Sequence, residues 1–222
     1  MNSGNSIVEL VDITHTHSDG ARLFDGLNFH LKSGEMAVIY GSTGIGKTTL
    51  VELIIGKRAP QSGTVVVFGE KIDPGSERLV AKTRQKIGGV GGLFRPISYQ
   101  TVYENLVYPL ILRGDRTSSC RSRVTRVLSQ LNLIGKKGET AGNLSRGERI
   151  LLMLGRAIIA DQPLLLIDEP LAGLDTQMSS EVLKLLHRLS VAGHSMMIMT
   201  TGQTDLQVPN ATVHEIRDGR LG

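Results

Sequence analysis

Residues Gly41 to Thr48 read GSTGIGKT, and no other stretch limits the possible fold of this chain as tightly. The pattern G-x-x-x-x-G-K-[ST] has physical meaning only where a strand passes through a tight loop into a helix. Here it follows MAVIY, a continuous apolar run of the kind that a parallel strand covered on both faces requires. After it, Leu50, Leu53 and Ile54 share one helical face and Gly56 ends the segment. In such a turn the glycines let backbone N–H groups wrap phosphate oxygens at the positive end of a helix. Lys47 can then reach the β and γ phosphates, and the Thr48 hydroxyl can ligate Mg²⁺. A glycine-rich turn with an exposed lysine is the plain alternative, and the agreement of strand, loop and helix speaks against it.

The rest of the chain supports an α/β fold. LLLI at 164–167 and MMIM at 196–199 are further buried-strand runs beside MAVIY. IVELVDIT, an Asp19-Gly20 turn and LNFHL, with Leu27, Phe29 and Leu31 on one face, predict an antiparallel edge sheet. Two more amphipathic helices follow from Val124, Val127, Leu128, Leu131 and from Val182, Leu185, Leu186, Leu189. VHEIRDGRL closes the chain as a strand and an Asp-Gly turn. Between Glu70 and Pro163 the pattern gives helices and no convincing buried strand, so this part reads as a helical lobe inserted into the α/β core. Within it, IGGVGGLF at 87–94 is a second glycine-rich stretch. It lacks the spacing and following helix of a dinucleotide fingerprint and reads as a flexible hinge.

A chain of 222 residues suits one domain with a subdomain. The net charge of +4 is scattered rather than gathered into a block, which argues against nucleic acid as a partner. The single cysteine, Cys120, excludes an internal disulfide and fits a reducing compartment as a surface or packing residue. The start has no basic n-region, so no secretory leader is expected, and no apolar run is long enough to span a bilayer.

Two further motifs carry chemistry. LLLIDEP places Asp168 and Glu169 at the C-terminal end of a buried strand, where α/β sheets bind ligands. Asp168 would hold Mg²⁺, and Glu169 would polarise the attacking water as general base. In NLSRGERILLMLGRAII, Ser145 and Glu148 form a capping box for the next helix. That helix start, with Ser145 and Gly147, could also present N–H groups and a hydroxyl to an anion.

With these motifs in this order, the chain resembles the ATP-binding cassette (ABC) ATPases over essentially its whole length. The resemblance rests on GSTGIGKTT, the signature LSRGE in place of LSGGQ, LLLIDEP, and AGLD ending in Asp175. Within the family, TVYENLVYPLILRG and the layout look most like the cell-division ATPase FtsE and the lipoprotein-export (LolD-like) group. The resemblance implies a P-loop NTPase cassette with a RecA-like core, an antiparallel β subdomain and an inserted helical subdomain. Residues 1–92 and 156–222 would form the core and 93–155 the helical subdomain. It also implies a head-to-tail dimer, of identical or different cassettes, sandwiching ATP and Mg²⁺. In it, the loop Gly41, Ser42, Thr43, Gly44, Ile45, Gly46, Lys47, Thr48 and Thr49 of one copy would face Ser145, Gly147 and Glu148 of the other. Glu169 and Lys47 are then the catalytic candidates, Thr48 and Asp168 the metal ligands, and Asp175 and Thr201 further nucleotide contacts. His17 stands where the family stacks adenine on an aromatic ring. As a metal pair, His15 and His17 have no third ligand nearby in sequence. A permease-like integral-membrane subunit would dock on the helical lobe, placing the cassette in the cytoplasm, peripheral on the inner face of the membrane.

The chain departs from the family at three positions. Gly92 stands where the family keeps the glutamine of its Q-loop, Thr201 where it keeps a histidine at the γ phosphate, and Arg146 replaces a signature glycine. Arg146 would need its side chain turned away from the closing interface. Gln203 could reach in place of the histidine. Threonine donates a hydrogen bond and carries no positive charge, so ATP binding is expected intact and hydrolysis slow, since one lost phosphate-stabilising donor costs ~10²- to 10³-fold. A nucleotide-responsive scaffold that hardly hydrolyses is the alternative from another class. A soluble DNA-repair or translation ATPase would need coiled-coil insertions or a second cassette that this length does not accommodate.

Overall fold

The computed structural model describes residues 6–17, 20–202 and 208–222. Its centre is a six-stranded sheet assembled from β3 (Met36–Tyr40), β6 (Ile87–Val90), β7 (Leu164–Asp168), β8 (Ser195–Thr200), β9 (Ala211–Arg217) and β10 (Arg220–Leu221), in the order β10-β9-β3-β8-β7-β6. All pairs from β9 to β6 are parallel, and β10 returns antiparallel through the Asp218-Gly219 turn. The three apolar runs, MAVIY, LLLI and MMIM, are neighbours at its middle.

Strand alternation sorts these side chains onto two faces. Met36, Val38, Leu165, Ile167, Met196 and Ile198 join a core with the helices α3 (Val102–Arg113), α4 (Thr117–Gln130), α5 (Arg146–Ile158) and α6 (Thr176–Val191). Ala37, Ile39, Leu164, Leu166, Met197 and Met199 join the other core with helix α1 (Lys47–Ile54) and a second sheet. That second sheet is antiparallel, ordered β2 (Arg22–Lys32), β1 (Ser6–Thr16), β4 (Ser62–Val67) and β5 (Glu70–Lys71), and it buries Leu27, Phe29 and Leu31 as the alternation requires. Both expected amphipathic helices, α4 and α6, bury their predicted faces. A further helix, α2 (Glu77–Gln85), leads into β6. Asp19, half of the expected hairpin turn, lies outside the described residues. Cys120 is buried in the helical core.

The stretch at 87–94 corrects the sequence reading. Ile87–Val90 is a strand of the central sheet, paired in parallel with β7 so that Gly88 faces Leu165 and Gly89 faces Leu166. Its glycines are there for close approach. A Cβ on Gly88 would lie 2.2 Å from the Ala157 carbonyl oxygen of α5, and one on Gly89 would lie 2.0 Å from the Phe94 ring. Such contacts are what a glycine inside a strand usually marks. The segment is therefore a packed joint and not the expected hinge.

Candidate functional site

Parallel strands deliver their C-terminal ends to one edge, and register fixes which residues meet there. Tyr40 stands beside Thr200, Asp168 beside Met199, and Val90 beside Ile167. The loops after β3, β6, β7 and β8 consequently emerge together, bringing the phosphate loop, Gly91–Gly92, Glu169 and Thr201 to one place.

The loop after β3 runs into α1 at Gly46, whose φ of 112° places it in the left-handed region, where a Cβ would also strike the Phe24 ring at 2.8 Å. Ile45 N–H donates to the Ser42 carbonyl at 3.3 Å, closing the turn. Lys47 is 7% exposed and folds back over the loop, its Nζ donating to the carbonyls of Gly41 at 2.6 Å and Ser42 at 3.1 Å. Burial pushes its ammonium below the ordinary lysine value, while Glu169 and Asp168 oppose that shift. A cavity of about 370 Å³ opens over this loop, lined by His17, Thr43, Gly44, Gly46, Lys47, Thr48, Thr49, Asp168, Glu169 and Thr201. Nothing stands within 4 Å of where a Gly44 Cβ would be.

The two carboxylates have different surroundings. Burial pushes the Asp168 carboxyl up, the neighbouring Glu169 adds to this, and Lys47 counters it. Glu169 adopts a φ of 51°, rare for a residue with a side chain, and its N–H donates to the Met199 carbonyl at 2.9 Å. The hydroxyls of Thr200 and Thr201 both donate to Glu169 Oε2 at 3.4 Å, and Lys47 Nζ is 4.0 Å from Oε1. Thr201 thus touches the candidate base. Gln203, the suggested substitute for a histidine, lies outside the described residues.

Gly91 and Gly92 close over Asp168 from the other side. A Cβ on Gly91 would meet the Asp168 carbonyl at 2.0 Å, and one on Gly92 would meet its Oδ2 at 2.1 Å, with Gly92 itself at a φ of 50°. This backbone occupies the ground on which a longer side chain would stand.

The signature residues sit elsewhere. Ser145 caps α5, its hydroxyl accepting from Glu148 N–H at 3.2 Å while Glu148 Oε2 accepts from Ser145 N–H at 2.8 Å. Burial raises the Glu148 carboxyl, but these bonds and Lys136, 3.1 Å away, hold it below its ordinary value. Gly147 is buried where a Cβ would meet Met178 at 2.4 Å, so α5 and α6 touch there. The Asp175 carboxylate caps α6, accepting from Met178 N–H at 2.8 Å. None of these four lines the cavity over the phosphate loop. Arg146 lays its guanidinium over Gly173 of the AGLD segment and lines a second cavity that also reaches Asp168 and Glu169.

The donor set suits a magnesium nucleotide. No cluster of three or more His, Cys, Asp or Glu side chains exists among the described residues. One half-buried carboxylate and one hydroxyl, Asp168 and Thr48, share a cavity with a phosphate cradle, and Mg²⁺ is typically held by few protein oxygens plus substrate phosphates. The pair His15 and His17 divides: His17 lines the cavity, whereas His15 is buried with its Nδ1 unpartnered. Sequence reasoning also missed the capping box Thr101–Glu104 on α3, although its T-x-x-E pattern is legible.

A family model described as "ABC transporter" matches residues 24–172. The cell division ATP-binding protein FtsE of Mycobacterium tuberculosis is 31% identical over 216 residues, covering 97% of this chain and 94% of that protein. A putative ABC transporter ATP-binding protein of Methanothermobacter thermautotrophicus is 30% identical, covering 97% of this chain and 77% of that protein. Among solved structures, CbiO1 of Clostridium perfringens, part of the ABC transporter complex CbiONQ, superposes with a TM-score of 0.84 at 26% identity, over 98% of this chain and 87% of that one. The ATP-binding cassette MJ0796, a dimer in a post-hydrolysis state with ADP and phosphate, gives 0.85 at 25% identity, over 96% of both chains.

Proposed function

The chain belongs to the ABC transporter family and is an ATPase of the ABC type, and from that membership we propose that it closes as a dimer around two Mg²⁺-ATP and acts on a separate membrane-embedded partner. The observation that carries this reading is the single cavity joining Lys47, Thr48, Asp168, Glu169, Thr201 and His17, from which Ser145, Gly147, Glu148 and Asp175 are absent. One copy supplies a phosphate cradle and a base, and a second copy would supply the capped start of α5. In support, the cassette MJ0796 is a dimer bound to ADP and phosphate, and CbiO1 is part of the ABC transporter complex CbiONQ.

In the proposed site the loop N–H groups at the start of α1 and the Lys47 ammonium hold the phosphates. Lys47 exchanges the Gly41 and Ser42 carbonyls for phosphate oxygens. Thr48 and Asp168 would hold Mg²⁺, which neutralises charge on the phosphates. Glu169 orients and deprotonates the attacking water, and the Thr200 and Thr201 hydroxyls, donating to one of its oxygens, fix where the other points. His17 stacks on the adenine edge. The helical lobe, residues 93–155, faces the membrane partner, which places the chain on the inner face of a membrane; no described helix is long and apolar enough to cross one.

Glu169→Gln tests the reading directly. It keeps the shape and loses the base, so turnover falls about 10²- to 10⁴-fold while ATP binding survives and ATP now holds the dimer together in light scattering. Unchanged turnover would remove Glu169 from the chemistry. The scaffold reading rests on Gly92 and Thr201 standing where the family's glutamine and histidine are expected. It wins if Glu169→Gln leaves the cellular phenotype untouched.

A further inference from the structure

Among the described α-helices, α4 alone carries charges of a single sign. Each of the others holds at least one Asp or Glu, from Glu52 in α1 to Glu181 in α6, whereas the 14 residues of α4 hold Arg121, Arg123 and Arg126 and no acid. The imbalance extends to the hairpin that α4 forms with α3. Residues 102–130 contain five arginines against Glu104 and Asp115, a net +3 in a chain of net +4. Positive charge that looks scattered along the sequence is gathered by this one turn.

Local bonds answer two of the five arginines and leave three open. Arg113 pairs with Asp115 and Asp161, and Arg123 also reaches Asp161, which ties the hairpin to the loop before β7. Arg116, Arg121 and Arg126 are exposed, and their guanidinium groups have neither an ion pair nor a hydrogen bond among the described residues. Along the helix axis they fall within about 15 Å, at 1.5 Å per residue. Apolar side chains stand next to them. The last turn of α3 leaves Ile111 59% and Leu112 55% exposed, Gly114 turns the chain at a φ of 89°, and Arg116 follows at the N-cap of α4. The opposite face of α4 is already committed, with Cys120, Val124, Val127 and Leu128 buried in the helical core.

We propose that the α3–α4 hairpin binds the surface of an anionic lipid bilayer directly, with Arg116, Arg121 and Arg126 over lipid phosphates and Ile111 at the boundary of headgroups and acyl chains. Charge complementarity selects this occupant: anionic headgroups answer exposed guanidinium groups without a shaped pocket, and each such charge near the surface strengthens binding. An aliphatic side chain beside the charges gains by entering the headgroup and acyl boundary. The phosphate backbone of a nucleic acid, the other common polyanion, offers Ile111 no such place. The inference rests on the reading that the chain works at a membrane, and it adds a contact that needs no protein partner. Two contacts on one membrane reinforce each other, because the lipid contact keeps the chain at a high effective concentration near its partner.

The test uses the full chain and lipid vesicles that contain no protein. Wild type is expected to co-sediment with vesicles of phosphatidylglycerol mixed into phosphatidylcholine and not with phosphatidylcholine alone, and to be released as salt is raised. Combining Arg116→Ala, Arg121→Ala and Arg126→Ala should weaken binding about 10²-fold, whereas lysine at all three positions should keep it, because the lipid answers charge. Ile111→Ser should weaken it about tenfold, with ATP binding unchanged in every variant. Equal binding of wild type to the two kinds of vesicle, or wild-type binding by the triple alanine variant, overturns the proposal. So does displacement of the chain from vesicles by duplex DNA when Ile111→Ser binds them as wild type does, a result that assigns the arginines to nucleic acid. These failures leave the membrane-partner reading standing, since the vesicles hold no partner; that reading fails separately if no membrane protein co-purifies with the chain.

Discussion

Gly44 in the first glycine-rich stretch and the glycines of the second meet opposite demands. In Gly41–Thr48 the glycine at 44 borders open space, with nothing within 4 Å of a would-be side chain, and the backbone is left free to meet a ligand. In Ile87–Phe94 the glycines are filled by the protein itself: Ala157 against Gly88, Phe94 against Gly89, Asp168 against Gly91 and Gly92. Gly44 leaves room for something to enter, whereas at Gly88, Gly89, Gly91 and Gly92 something has already arrived, as it has at Gly41 and Gly46, which pack on Ile45 and Phe24. A close approach with no ligand in it is a packing device, and packing devices fail through stability.

The largest effect expected from this contrast is at Gly88. Gly88→Val forces a side chain into the backbone of α5, which cannot move aside without shifting the helix, and should cost about 3 kcal/mol or more. Chemical denaturation would show it. Gly44→Ala is the partner experiment: at a φ of 85° in open space it should cost about 1 kcal/mol of stability, with a larger proportional loss in ATP affinity. Equal stability losses at the two positions would erase the distinction.

Gly92→Gln is next in size. If the glycine were simply a missing sensor, restoring glutamine would raise turnover. The structure expects the reverse, about a tenfold loss, because the new Cβ displaces Asp168 Oδ2. Gly92→Ala should lose as much, since the Cβ alone causes the clash; a rate gain in either variant would break the argument.

The smallest effect concerns Asp168. Its folded carboxyl is raised above the ordinary value by burial and by Glu169, so the unfolded state releases the proton more readily. The charged form therefore lowers stability above the folded pKa, and the penalty vanishes as pH falls below the unfolded carboxylate value near 4. Asp168→Asn should accordingly have the higher Tm at pH 7.5, with the gain gone near pH 4. A gain that persists in acid would point to hydrogen bonding instead.

Much of this molecule was legible one residue at a time. The three buried strands, the antiparallel edge, the faces of α1, α4 and α6 and the Ser145–Glu148 cap follow from local apolar period and capping chemistry, which neighbours in sequence supply. The strand β6 did not, because two of its four residues are glycine and the reason for them, Ala157 and Phe94, is a tertiary contact. Likewise Thr201 is expected at the nucleotide from its position and lines that cavity, but the bond of its hydroxyl to Glu169, thirty-two residues earlier, is a tertiary contact that no local pattern announces.

By itself, then, the sequence determined that a strand, a phosphate-sized turn and a helix stand in succession, and that a carboxylate pair ends another buried strand. Contacts distant in sequence set the rest: β3, β6, β7 and β8 end side by side, so that Lys47 and Thr201 reach Glu169 while Gly92 covers Asp168. The physical reason is range. Backbone propensity and side-chain period act over a turn or a few strand residues, while parallel register and desolvation of a charge are set by parts of the chain far apart in sequence.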